Sequence, residues 1–197
     1  MVDRSPRDPA LDNAFKAEIV TLIPHLRAFA RTLCGDATAA DDLAQDAMMK
    51  AWDARASFQM GTNMKAWTFM ILRNQFYSEK RRSWRQSQLD QEAAERTLVA
   101  VDDPEAPVAL DELRQALKTL PEEQREALIL VGAGGFAYEE AAEICGCAVG
   151  TVKSRVSRAR RALAATLEKG GYGRDGKAAG DAMRSILGEA DRLAGAR

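Results

Sequence analysis

From Phe15 onward apolar residues recur every three or four positions, as Phe15, Ile19, Leu22, Leu26, Phe29 and Leu33. This spacing is the core stripe of an amphipathic helix. Pro24 falls inside it, and a residue without an amide N–H is expected to kink or split the helix there. Gly35 ends the pattern, and Thr38 with Asp41 three residues later predicts a capping box that opens a second helix. On that helix Leu43, Ala44, Ala47, Met48, Ala51 and Trp52 occupy half of the wheel, against Asp42, Gln45, Asp46, Met49 and Asp53 on the other half. Met49 is the odd member of the polar side: either a tolerated exposed residue or the centre of a protein-binding face with a charged rim. A Gly-bearing loop over 57–63 precedes a third helix, predicted from about Met64 to Trp84.

Farther on, Thr119, Leu120, Pro121 and Glu122 read as another helix start, with Thr119 as the cap and Glu122 reaching back. Leu117, Leu120, Leu128, Ile129 and Val131 supply apolar bulk behind it. The stretch EICGCAVGTVKSRVSRARR, residues 143–161, reads as the end of one helix, a tight turn and a second helix with two unlike faces. Val149, Val152, Val156, Ala159 and Leu163 share one face, while Gly150, Thr151, Ser154, Ser157, Arg158 and Arg161 share the other. Ala142, Gly146 and Val152 supply what a helix-turn-helix needs: a small residue at the crossing, a glycine for the left-handed turn, and an apolar anchor. Lys153, Arg155, Arg158, Arg160 and Arg161 fall within nine residues that contain no acid. An apolar back with a small, basic front suits a helix entering the major groove.

Charge then divides the chain. The formal net charge over 197 residues is only -1, because acids are concentrated elsewhere. Residues 86–112 hold eight of them (Asp90, Glu92, Glu95, Asp102, Asp103, Glu105, Asp111, Glu112) against Arg96 alone, together with Pro104 and Pro107. That composition marks a linker. The expected architecture is all-α, with two small helical domains at 10–85 and 109–169, an acidic linker at 86–108, and a Gly-rich tail at 170–197 carrying a short amphipathic helix.

The third helix interleaves Trp67, Phe69, Phe76, Tyr77 and Trp84 with Arg73, Lys80, Arg81, Arg82 and Arg85. Rings that stack on bases beside cations that hold phosphates are what single-stranded or opening DNA requires, although some of these rings must also serve as core. No apolar run approaches the roughly 20 residues that span a bilayer, and the first residues lack the apolar stretch of a signal peptide, so a cytoplasmic protein that binds no membrane is expected. His25 lies far from Cys145 and Cys147, which argues against a metal site, and Cys147 is expected to fill a small buried position under the recognition helix. No nucleophile with a base and no phosphate-cradling glycine loop is present, so neither an enzyme nor a cofactor is expected.

The order of these parts resembles a sigma factor of the extracytoplasmic-function group over residues 11–168. DDLAQDAMMKAW resembles the segment that docks on RNA polymerase, AWTFMILRNQFYSEKRR the promoter-melting helix, and LPEEQREALILVGAGGFAYEEAAEICGCAVGTVKSRVSRARRAL the domain that reads the minus-35 element. Ser78, where an aspartate is common, and the second-domain string resemble EcfG-type factors of the general stress response. Ala137 stands where a Ser or Thr cap is frequent, a loss of about 1 kcal/mol. The resemblance implies that Asp42, Asp46 and Met49 meet the polymerase clamp. It implies that the loop from Phe58 to Asn63 holds a flipped minus-10 base, with Asn63 reading its edge and core packing as the alternative for Trp67. Arg73, Lys80, Arg81 and Arg82 would hold phosphates there; Gly150, Thr151, Ser154, Ser157 and Arg158 would face minus-35 base edges, with Lys153 and Arg161 on phosphate. Implied partners of this chain, a monomer when free, are core RNA polymerase, promoter DNA, and a NepR-type anti-sigma factor displaced by a phosphorylated PhyR-type response regulator. A sigma mimic or a stand-alone helix-turn-helix regulator is the competing reading; neither needs both basic DNA faces.

Overall fold

The computed structural model describes residues 9–89, 113 and 115–169, and every regular element among them is helical. The chain divides into two compact units, Met1–Ala100 and Val101–Arg197. In the first, α1 spans Pro9–Cys34, α2 Ala37–Asp53 and α3 Met64–Leu89. In the second, α4 spans Glu122–Gly132, α5 Tyr138–Cys145 and α6 Val149–Lys169. The expected tail helix and residues 90–108 of the expected linker lie outside the described residues.

The first unit is a three-helix packing around Phe15, Leu26, Phe29, Ala51, Met64 and Leu72, all nearly fully buried. Helix α1 runs unbroken through Pro24, contrary to the expected split. Pro24 and Val20, whose carbonyl loses its bond, both lie on the solvent side. Water can take that carbonyl while Leu22 and Leu26 keep their packing. Gly35 closes the helix in the left-handed region at φ 75°. The cap of α2 is Asp36, whose carboxylate accepts from the Ala39 N–H at 2.7 Å. Thr38 is already inside the helix, so the Thr38–Asp41 capping box does not form; Asp41 instead pairs with Arg27 at 2.5 Å, bringing α1 and α2 together. Helix α3 continues to Leu89, past the expected boundary at residue 85.

In the second unit the Thr119 hydroxyl donates to the Ala116 carbonyl at 2.7 Å and so closes the preceding helical turn rather than capping α4. Pro121 stands at the N-cap of α4 without a side-chain bond, and Glu122 and Glu123 place negative charge at its amide end. Leu128, Leu130, Val131, Phe136 and Ile144 meet Val152, Val156, Ala159 and Leu163 of α6 in the core. The link from α4 to α5 is made where no side chain fits: a Cβ on Gly134 would lie 2.6 Å from the Leu130 carbonyl oxygen and 2.9 Å from the Phe136 ring.

Candidate nucleic-acid interface

Helices α5 and α6 and the turn between them form a helix-turn-helix. Gly146 adopts φ 62°, ψ 40°, and the Cys147 N–H returns to the Ala142 carbonyl at 3.1 Å. Ala142 and Val152 are buried, as the spacing requires. Ala137 caps α5 without a side-chain oxygen, but Glu140 reaches back to accept the Ala137 N–H at 2.8 Å, supplying one half of a capping box. Cys147, expected to be buried, is half-buried, whereas Cys145, which still belongs to α5, is buried.

Helix α6 is seated by Val152, Val156, Ala159 and Leu163, which leaves Gly150, Lys153, Ser157, Arg158 and Arg161 exposed and Thr151 and Ser154 half-buried at the rim. Arg158 is held along its own helix: its Nε donates to the Ser154 carbonyl at 3.2 Å and its Nη2 to Ser154 Oγ at 3.0 Å. Ser154 Oγ donates in turn to the Thr151 carbonyl at 2.9 Å. Lys153 rests its ammonium 5.6 Å from the Tyr138 ring centroid, at the start of α5. Arg155 leaves the basic set. Its guanidinium bonds Glu123 at 2.5 Å and lies 3.6 Å from Cys147 Sγ, with its side chain only 16% exposed. It ties α6 to α4, consistent with its place off the front face of α6.

In the first unit Asp42, Asp46 and Met49 are exposed together on α2, with Met49 at 58%. The loop after α2 departs from expectation at Phe58, whose ring is buried at 6% exposure, 5.9 Å from Phe15 and 4.9 Å from Trp67. A ring in that position cannot stack on a base; it anchors the loop. Trp67 joins it in the core while staying half-buried. Asn63 is exposed, but its Oδ1 accepts the Ala66 N–H at 2.9 Å and so starts α3. Gln59, Gly61 and Thr62 are also exposed there, with Gly61 at φ 86°.

Along α3 the aromatics and cations divide by depth. Phe76 and Tyr77 are half-buried and meet edge to face at 5.2 Å, with Arg73 over Tyr77 at 4.6 Å and Lys80 over Phe76 at 5.8 Å. Lys80, Arg81, Arg82 and Arg85 are exposed. Two groups nearby have shifted acidity. The Arg27 hydrogen bond holds the Asp41 carboxyl below its usual range. Burial, aided by Glu79 and Asp36, pushes the Cys34 thiol up to about 11. Among the described residues no group of three His, Cys, Asp or Glu side chains could hold a metal, and no helix is long and apolar enough to cross a membrane.

Two helical units, one presenting a helix-turn-helix and the other an acidic face beside a basic aromatic helix, define a DNA-binding transcription factor. Residues 19–86 match sigma-70 region 2 and residues 110–163 match sigma-70, region 4. The chain is 45% identical over 181 residues to the ECF RNA polymerase sigma factor EcfG of Rhodopseudomonas palustris, covering 90% of this chain and 97% of that one. It belongs to the extracytoplasmic-function sigma factors of the sigma-70 family. The sigma factor RpoE of Bartonella quintana, solved in complex with the anti-sigma factor NepR, is 47% identical with a TM-score of 0.71, covering 79% of this chain and 98% of that one. The PhyRSL–NepR complex from Sphingomonas matches with 20% identity and a TM-score of 0.54 over 81% of this chain and 90% of that one, a likeness of fold alone.

Proposed function

We propose that this sigma factor directs core RNA polymerase to stress-response promoters, and that an anti-sigma factor of NepR type holds it inactive until a PhyR-type regulator displaces that inhibitor. The observation that carries the promoter reading is α6: a packed back, and a front where Arg158 is already oriented by Ser154. Arg158, Ser154, Ser157 and Thr151 face minus-35 base edges, where a forked guanidinium matches the O6 and N7 of guanine. Lys153 and Arg161 take phosphates, which fix register without reading sequence. Asp42, Asp46 and Met49 dock on the polymerase, and Arg73, Lys80, Arg81 and Arg82 hold the strands near the minus-10 element. The exposed loop from Gln59 to Asn63, with Phe58 buried beneath it, receives a flipped minus-10 base in this reading. The inhibitor reading rests on the 47% identical factor solved with NepR. The protein works in the cytoplasm as an initiation subunit rather than as an enzyme.

Transcription in vitro with core polymerase, with and without the chain, from a promoter library tests this directly. Chain-dependent initiation at a shared pair of elements is expected, and its absence would overturn the reading. Within it, Arg161→Ala and Lys153→Ala should weaken all duplexes alike and flatten the salt dependence. Arg158→Ala should change the preferred minus-35 sequence. A NepR-type protein should block core binding; simultaneous binding of both would refute the inhibitory part.

A further inference from the structure

Helix α3 outruns the core it serves. Leu72 is fully buried and Phe76 and Tyr77 are half-buried, but every residue from Ser78 to Arg85 is exposed. Along that projecting end the chain runs Lys80, Arg81, Arg82, Ser83, Trp84: three cations immediately before a hydroxyl and a large apolar side chain immediately after it, 64% exposed. This is the charge pattern that an arginine-directed serine kinase selects, because its peptide groove is acidic where it meets the residues before the acceptor and apolar where it meets the residue after. Such a groove takes its substrate in extended form, so the acceptor must be able to leave the helix. Opening residues 80–84 gives up Lys80's place over the Phe76 ring at 5.8 Å and no buried side chain, and an unpacked helix end opens at low cost. Ser157 also has basic neighbours, but Val156 and Ala159 flank it and are buried in the second core, so its segment cannot be drawn out without unfolding that unit.

We propose that Ser83 is a phosphorylation site for an arginine-directed serine/threonine protein kinase, and that the phosphoryl group discharges the basic end of α3. Ser83 Oγ attacks the γ-phosphorus of ATP, the bond from that phosphorus to the β–γ bridging oxygen breaks, ADP leaves with the bonding electron pair, and the hydroxyl proton passes through the kinase to solvent. The product carries a charge of about −1.5 to −2, within one helical turn of Lys80, Arg81, Arg82 and Arg85. It offsets close to half of their positive charge. On the proposed promoter function these cations hold DNA phosphates, and each phosphate contact that is lost lowers affinity and flattens its salt dependence. That consequence rests on the promoter reading, whereas the modification itself rests only on the exposed end of α3 and its sequence.

The test treats the full chain with ATP and an arginine-directed serine/threonine kinase, locates the phosphoryl group by mass spectrometry of the digested product, and applies the same mapping to the chain recovered from the cells that make it. Phosphate on Ser83 is expected in both, with none there in Ser83→Ala and much slower transfer in Arg81→Ala. Bound to core polymerase, the phosphorylated chain should hold promoter DNA about tenfold more weakly than the unmodified chain, with a shallower salt dependence. Ser83→Ala should bind as the wild type does and not respond to the kinase. Transfer confined to other residues, or a chain that carries no phosphate on Ser83 in growing and in stressed cells alike, would overturn the site. Phosphorylation of Ser83 with promoter affinity unchanged would overturn the discharge of α3. If the unmodified holoenzyme bound no promoter at all, the proposed function would fall, while the mapping of phosphate to Ser83 would still stand or fall by itself.

Discussion

Replacing Phe58 by alanine separates the core role found for this ring from a base-contacting one. The ring is 6% exposed and touches two aromatic neighbours, Phe15 at 5.9 Å and Trp67 at 4.9 Å. Truncating a buried phenylalanine costs about 3–5 kcal/mol through lost transfer energy and the cavity left behind, and each aromatic pair accounts for about 0.5–1.5 kcal/mol of that. A unit of this size shifts its midpoint by about 4–8 °C per kcal/mol, so a fall of about 12 °C or more is expected. All three tryptophans, Trp52, Trp67 and Trp84, lie in the first unit, so their fluorescence on heating reports that unit alone. Phe58→Leu, which keeps much of the apolar volume, should fall between the wild type and Phe58→Ala. A midpoint unmoved in Phe58→Ala, with promoter opening lost, would refute the packing argument and return Phe58 to the DNA.

Met49→Asp should abolish tight binding to core polymerase while moving the fluorescence midpoint by no more than about 2 °C, since a side chain at 58% exposure gains no buried charge; a large fall in midpoint would count against the docking face. Asp41 has its pKa depressed by the Arg27 hydrogen bond, so the pair adds stability above the usual aspartate value of about 3.9 and loses it as pH falls through the lower folded value. Asp41→Asn should therefore reduce the acid-side loss of stability measured by melting at successive pH values, and an unchanged pH profile would exclude the linkage. Gly134→Ala drives a Cβ to 2.6 Å from the Leu130 carbonyl oxygen and should destabilise the second unit by about 1–3 kcal/mol. Circular dichroism, which sees both units, should register that loss while tryptophan fluorescence does not.

The sequence pattern made α6 legible because its two faces differ in every turn: Val152, Val156, Ala159 and Leu163 are all buried, while Lys153, Ser157, Arg158 and Arg161 are all exposed. Gly146 was legible for a related reason, since a tight turn between helices leaves few residues able to take φ 62°. Readings failed where the deciding neighbour is distant in sequence or where two local partners compete. Phe58 lies in a loop whose composition is polar, and only its packing on Phe15, brought in by α1, makes it core. Arg155 has the same side chain as Arg158 but lies off the front face, and it turns inward where Glu123 of α4 receives it, a partner that its sequence neighbours do not reveal. Asp36 and Thr38 compete for one cap, and the carboxylate two residues earlier takes it. Pro24 does not split α1: the rule about its missing N–H is sound, but the side of the helix on which that loss falls decides its cost.

Location, rather than total, decides what the charges of this chain can do. A formal net charge of -1 argues against affinity for a polyanion if the chain is taken as a whole. Yet two arginines withdrawn from solvent are met by carboxylates, Arg155 by Glu123 and Arg55 by Asp12. Among the described residues, exposed cations cluster on α3 (Lys80, Arg81, Arg82, Arg85) and α6 (Lys153, Arg158, Arg161), whose opposite sides are fixed in the two cores. At physiological salt, screening over about 8 Å makes each such face act through its own near neighbours. The concentrated acids of residues 86–112 account for a net charge near zero in a chain that carries such basic faces. On the proposed function, the salt dependence of DNA binding at each basic face should scale with the phosphates that face meets rather than with the charge of the protein.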